Sequence, residues 1–200
     1  MSDVLEQLVR LFSLEKIEND KFLGQCQDLG FKQLFGGQLL AQSLMAASLT
    51  AEGFNSHSLH GYFLQPGDTE TPIEFNVDRI REGKTFATRR VVALQNNIEI
   101  FTANVSFHVD EDGYEHQLEI PEVKQPEELR SELEIRRKFA DFIPAKLREK
   151  FTQDAPIEIR PVKPFNYIKP EKLSPQKDMW MKAVDALPRP LNPSDASDEN

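Results

Sequence analysis

Cysteine occurs once in this 200-residue chain, as Cys26. A single thiol excludes an intramolecular disulfide framework and agrees with a reducing compartment. With one cysteine, and with His57 and His60 three residues apart, no zinc constellation forms; neither metal nor cofactor is expected. No apolar run approaches the length of a membrane span, and the first residues show neither a secretory apolar segment nor an acid-poor, arginine-rich transit pattern. A cytoplasmic protein is expected. Positive charge is in deficit, with 24 Lys and Arg against 33 Asp and Glu, a net charge of -9 and a pI near 5.0. That balance opposes a polyanion-binding surface, so nucleic acid is not an expected partner, and an anionic ligand needs a local basic patch. One further absence is local. Between Asp28 and Glu52 there is no Asp or Glu, so that stretch offers no carboxylate for general-base work.

Among what is present, a hydrophobic content of 39% suffices to bury the core of one domain, or of one domain and part of another. Phe35 to Thr50 reads as one helix opened by Gly36-Gly37. Leu40, Leu44 and Ala47 fall on one face and Leu39, Ala46 and Leu49 broaden it, while Ala41, Met45, Ser43 and Ser48 leave no charged side; the pattern predicts an enclosed helix. Before it, Ser2 can cap a short helix with Val4, Leu5, Leu8, Leu11 and Phe12 at helical spacing, and Lys21 to Gln27 alternates as a strand. After it, the period changes to two. A strand over 57–64 ends at Pro66-Gly67-Asp68, Ile73, Phe75 and Val77 alternate with polar residues, and a turn sits at Glu82-Gly83-Lys84. A strand over 85–95 then meets a hairpin tip at Asn96-Asn97, and Phe101, Ala103, Val105 and Phe107 line the returning strand. One long helix followed by about four antiparallel strands is an α+β layout.

Beyond Gly113 the chain is charged and punctuated by proline. Pro126 starts a predicted helix through Leu129, Leu133 and Phe139 towards Pro144, and Ile157–Arg160 and Met179–Val184 read as two more strands. The expected division is a first domain over 1–118, a helical connector over 119–155, two strands within 156–188, and a disordered acidic tail over 189–200.

Four short strings in this order resemble one family. Phe35-Gly36-Gly37-Gln38, the run from His57-Ser58-Leu59-His60-Gly61 to Asp68, Arg89-Arg90-Val91-Val92-Ala93-Leu94-Gln95, and Gly113-Tyr114-Glu115-His116-Gln117 together are similar to the type II, TesB-like acyl-CoA thioesterases. The similarity runs from about Leu14 to Pro188. It implies a hotdog fold, a curled antiparallel sheet around one long helix, twice in one chain, and hydrolysis of fatty acyl-CoA to free acid and CoA. The second hotdog is expected to be cut short after its opening strands. In the family the Asp, Thr or Ser, and Gln that activate water come from that second hotdog. Ala196-Ser197-Asp198 echoes the catalytic Ala-Ser-Asp, yet Pro190-Leu191-Asn192-Pro193 stands where apolar helical residues should precede it, so that role is not carried over.

Thioester hydrolysis needs an activated water and donors aimed at the tetrahedral oxyanion. Gly36 and Gly37, with Gln38 beside them, can present backbone N–H groups at a helix N-terminus; equally, the glycines can serve only a tight entry. His57 is the candidate catalytic base and His60 a substrate-binding residue, although strand alternation would send them to opposite faces, and either can be a structural histidine. Arg79, Arg81, Lys84, Arg89 and Arg90 crowd one hairpin and could meet CoA phosphates, with Arg89 or Arg90 preferred, or could form a solvated edge balanced by Asp78 and Glu82. The expected partners are acyl-CoA and either a second copy of the chain or another hotdog. The alternative reading is a non-catalytic acyl-CoA-binding or subunit-pairing module. A hydratase or dehydratase on this fold fits less well, since it needs an acid or base on or beside the helix.

Overall fold

Alternation dominates the middle of the chain, and the computed structural model, which describes residues 1–29, 33–164 and 172–187, turns it into a six-stranded antiparallel sheet. The described residues form two compact units, one of residues 8–113 and one of residues 1–7 with 114–187. Helix α1 (Asp3–Phe12) runs from the second into the first.

In the unit of residues 8–113, strands β1 (Glu15–Glu18), β2 (Lys21–Gly24), β3 (Asn55–Phe63), β4 (Ile73–Glu82), β5 (Phe86–Gln95) and β6 (Ile98–His108) lie in the order β1-β2-β4-β5-β6-β3. Ile73, Phe75 and Val77 of β4, Ala87, Val91 and Ala93 of β5, and Phe101, Ala103, Val105 and Phe107 of β6 are buried in one core with Leu39, Ala46 and Ala47 of helix α2 (Gly36–Ser48). Period-two patterning on one face thus meets a helix on the other side of the core, as an α+β layout requires. The Asn96-Asn97 tip has both residues at positive φ (51° and 62°), the hairpin geometry that asparagine tolerates.

Three expectations are corrected in this unit. The predicted face of α2 is rotated, because Leu40 and Leu44 are only half-buried whereas Gln42 is fully buried beside Gln38 and Ser43. The cause is hydrogen bonding: Gln42 Nε2 donates to the Leu11 carbonyl (2.8 Å) and to the Gln25 carbonyl (3.0 Å), which turns the glutamines inward. The helix is also only partly enclosed within this unit, since Leu40, Ala41, Leu44, Met45 and Ser48 form a half-buried face. The strand expected to reach Gln27 stops at Gly24, where a side chain would collide with Gln42 Nε2 at 2.8 Å and Phe75 at 2.9 Å.

The second unit replaces the single helix expected from Pro126. A 3-10 turn (Pro126–Glu128) precedes helix α3 (Glu132–Lys138), a second 3-10 turn (Ala140–Phe142) follows, and helix α4 (Ala145–Thr152) starts after Pro144. Ser131 restarts the helix by a capping box: its Oγ accepts from Glu134 N (3.1 Å) while Glu134 accepts from Ser131 N (2.7 Å). Strands β7 (Ile157–Pro161) and β8 (Met179–Ala183) pair antiparallel, with Trp180 Nε1 donating to the Lys124 carbonyl (2.9 Å). The predicted tail, with Ala196-Ser197-Asp198, lies outside the described residues. Among the described residues no helix is long and apolar enough to cross a membrane.

Candidate active site

Helix α2 begins on two glycines for a packing reason. A Cβ on Gly36 would meet the Phe63 ring at 2.9 Å, and one on Gly37 would meet the Phe35 ring at 2.4 Å. The N-cap residue, Phe35, is extended and gives no side-chain cap, so the first turn keeps bare backbone donors at the positive end of the helix dipole. Phe35 and Phe63 are 56% and 55% exposed, so this N-terminus opens between two aromatic rings at the surface of the unit. An oxyanion accepting from such donors beside apolar rings is the chemistry this end of α2 can support.

The entry to the helix is held from behind by a residue the sequence reading did not single out. Leu34 N donates to the Gly67 carbonyl (2.8 Å), and Gln95, 5% exposed, clamps the same loop. Its Oε1 accepts from Asp68 N (3.0 Å), and its Nε2 donates to the carbonyls of Asp68 (3.0 Å) and Thr71 (2.6 Å). The Asp68 carboxylate itself accepts from Thr71 N (2.6 Å) and Glu70 N (2.9 Å), which holds its pKa below the usual carboxylate range. That carboxylate closes a turn. Cys26 Sγ donates to the Thr71 carbonyl (3.1 Å), and burial pushes its pKa up to about 11.

The remaining predicted site residues are not brought to the glycines. Gln38, expected to touch substrate, is 6% exposed, with Nε2 donating to the Gln25 carbonyl (2.9 Å) and Gln42 Oε1 (3.1 Å) and Oε1 accepting from Gln27 N (3.2 Å). Its amide is spent on internal bonds. On β3, Leu59 joins the core, Gly61 lies against Phe101 and Phe63 against Gly36, so these residues face α2. His60 instead packs edge-on to Tyr62 (4.9 Å) on the outer face. A bulge between Ser56 and Ser58 inserts His57, which packs edge-on to Phe86 (6.1 Å), also on the outer face. The expectation of opposite faces is therefore corrected: the bulge cancels the alternation and puts both imidazoles on the far side of the sheet from α2.

Arg89 is likewise corrected as a phosphate contact. It is 1% exposed and points inward, donating from Nε to Thr50 Oγ1 (2.8 Å), from Nη2 to the Thr50 carbonyl (2.7 Å) and Glu82 (2.6 Å), and from Nη1 to the Arg81 carbonyl (3.0 Å). It closes the C-terminal end of α2 onto β4. Arg90 faces outward and is held by Asp78 (2.6 Å). No signal in the local pattern separates these neighbours beyond strand alternation, and the buried member is the one bound to the helix end.

Residues 27–108 match the family model of the acyl-CoA thioesterase N-terminal domain. The chain is 41% identical over 189 residues to acyl-CoA thioesterase 2 of Haemophilus influenzae, which covers 94% of this chain and 66% of that protein. Among solved structures, a tesB protein of Mycobacterium avium subspecies paratuberculosis superposes with a TM-score of 0.71 at 30% identity, over 94% of this chain and 64% of that one. A hot dog fold protein of unknown function from Alicyclobacillus acidocaldarius, 15% identical, superposes with a TM-score of 0.67 over 92% of this chain and 64% of its own length, a likeness of fold. The chain thus spans just under two thirds of the length of these relatives.

Proposed function

Because the chain belongs to the TesB-like family of acyl-CoA thioesterases and has its hotdog fold, we propose that it acts on fatty acyl-CoA, in the hydrolysis that yields free fatty acid and CoA. The observation that carries this reading is the uncapped N-terminus of α2 at Gly36-Gly37, open between Phe35 and Phe63 inside the stretch that matches the family model. In the reaction, water adds to the thioester carbonyl, the oxyanion accepts from the helix donors, and the C–S bond breaks as the CoA thiolate leaves and takes a proton. Gly36 and Gly37 are the residues proposed to hold that oxygen.

The base is a separate matter. Helix α2 carries no carboxylate, Asp68 is engaged in its own turn, and His57 and His60 lie on the outer face. Among the described residues, none of the carboxylates or imidazoles the sequence offered as a base is free beside the glycines. That observation favours the second reading for the chain by itself, an acyl-CoA-binding and subunit-pairing hotdog.

Pairing has its own support. Strand β3 is the last strand of its sheet, and Tyr62, Phe63 and Leu64 at its end are 62%, 55% and 48% exposed, an edge suited to a second copy or another hotdog. The proposed location is the cytoplasm, from the single cysteine. Titration calorimetry with a fatty acyl-CoA tests the reading: saturable binding that Gly36→Val abolishes is expected, and no binding by the wild-type chain would refute it.

A further inference from the structure

Two adjacent glycines leave the first turn of α2 with little of its own to fix it. Glycine accepts many backbone angles, and Phe35 supplies no side-chain cap. Donors that hold an oxyanion must nevertheless be aimed before the substrate arrives. Their aim therefore comes from the chain that enters the helix. Leu34 anchors that entry: it is 8% exposed, packs in the core and donates its N–H to the Gly67 carbonyl (2.8 Å).

Gly67 belongs to the connection between β3 and β4, residues 64–72, which forms neither helix nor strand. Where it leaves β3 it is tied to β6, since Leu64 N and Gln65 N both donate to the Ile100 carbonyl (2.9 and 3.3 Å). Its middle is held by one buried amide, that of Gln95, the last residue of β5. Gln95 Oε1 accepts from Asp68 N, and Nε2 donates to the carbonyls of Asp68 and Thr71, which uses the acceptor and both donors of the side chain. The Asp68 N–H and the Gly67 carbonyl are two edges of one planar peptide, so Gln95 grips one edge and Leu34 the other. Packing leaves little slack. A Cβ on Gly67 would meet Gln95 Oε1 at 2.9 Å, Ile100 at 3.1 Å and Leu34 at 3.2 Å.

We propose that Gln95 is a positioning residue for the oxyanion donors of Gly36 and Gly37, acting through the Gly67–Asp68 peptide and Leu34. It touches neither substrate nor reacting atoms; its amide sets where the first turn of α2 begins. The proposal rests on the acyl-CoA reading and adds to it the residue that aims the donors. A Gln95 with a purely structural role would stabilise the unit without altering what the donors recognise.

The two roles separate in titration calorimetry of the full chain with dodecanoyl-CoA and with dodecyl-CoA, a thioether that has no carbonyl oxygen to accept a hydrogen bond. Wild type should bind the thioester about tenfold more tightly, the difference one well-aimed hydrogen bond makes. Gln95→Met, close in volume but without an amide, should bring the two affinities to within about twofold of each other. Gly67→Ala, which forces the same peptide away from Gln95 and Leu34, should do likewise. A smaller folded fraction weakens both ligands equally and leaves their ratio unchanged, as Val77→Ala, a core substitution on β4, should show. The wild-type ratio in either folded variant, Gln95→Met or Gly67→Ala, overturns the positioning role and leaves the acyl-CoA reading standing. A wild-type chain that binds neither ligand, or both equally, overturns the donor site at Gly36 and Gly37 and this role with it.

Discussion

Arg89 carries its charge at 1% exposure, and its donors go to the end of α2 and to β4. Burial lowers its pKa, opposed by the Glu82 carboxylate, which keeps a guanidinium charged in the interior. Removing it strands the buried Thr50 carbonyl and leaves a cavity, while Glu82 keeps Arg79, so Arg89→Ala should cost about 2–4 kcal/mol in chemical denaturation. Arg89→Lys should recover little of this, because one ammonium cannot reproduce the planar fork. Asp20 shows the same logic at the surface. The hydrogen bond from Arg79 holds its pKa below the usual value, so its stabilisation is present above the unfolded pKa and is lost as pH falls through the lower folded one. Asp20→Asn should therefore lower stability at pH 7, with the gap to wild type closing below about pH 4. A gap that is constant down to pH 2 would contradict this assignment.

At the scale of elements, the orientation of α2 makes the clearest prediction. Gln42 is fully buried and bonded to two main-chain carbonyls, whereas Leu44 is half-buried. Gln42→Ala should cost about 2–4 kcal/mol, from the Leu11 carbonyl left without its donor, the lost bond to Gln38 and a cavity. Leu44→Ala should cost about 1–2 kcal/mol for partial loss of apolar burial. The reverse order in urea melts would show that the helix is rotated from the position described. Hydropathy pointed to Leu44 because it sees apolar spacing and not the carbonyls of Leu11 and Gln25 that draw two glutamines inward. The strands were far more legible, since alternation through Ile73–Val77 and Phe101–Phe107 records directly which face is buried. The β3 bulge had no signature in side-chain type, and for that reason the faces of His57 and His60 were not readable. Arg89 and Arg90 were readable as a pair, and alternation with Ala87, Val91 and Ala93 is the signal that turns Arg89 inward, where Thr50 receives it. Ser131 with Glu134 did carry a capping-box signature, the signal that could have divided the connector helix.

At the scale of the molecule, the open edge of β3 and its exposed Tyr62, Phe63 and Leu64 predict self-association. Sedimentation equilibrium should show dimers or larger species at micromolar concentration, and Phe63→Asp should shift them towards monomer; a wild-type chain that is wholly monomeric would contradict the pairing proposal. The larger proposal concerns chemistry: a helix end able to hold an oxyanion, with His57 and His60 both on the other side of the sheet. Release of CoA from a fatty acyl-CoA tests it most directly, measured in a single-turnover assay with purified chain in excess and substrate bound. The account predicts release no faster than uncatalysed hydrolysis, unchanged in His57→Ala. Rapid release by wild type that His57→Ala abolishes would contradict it and make that imidazole the general base.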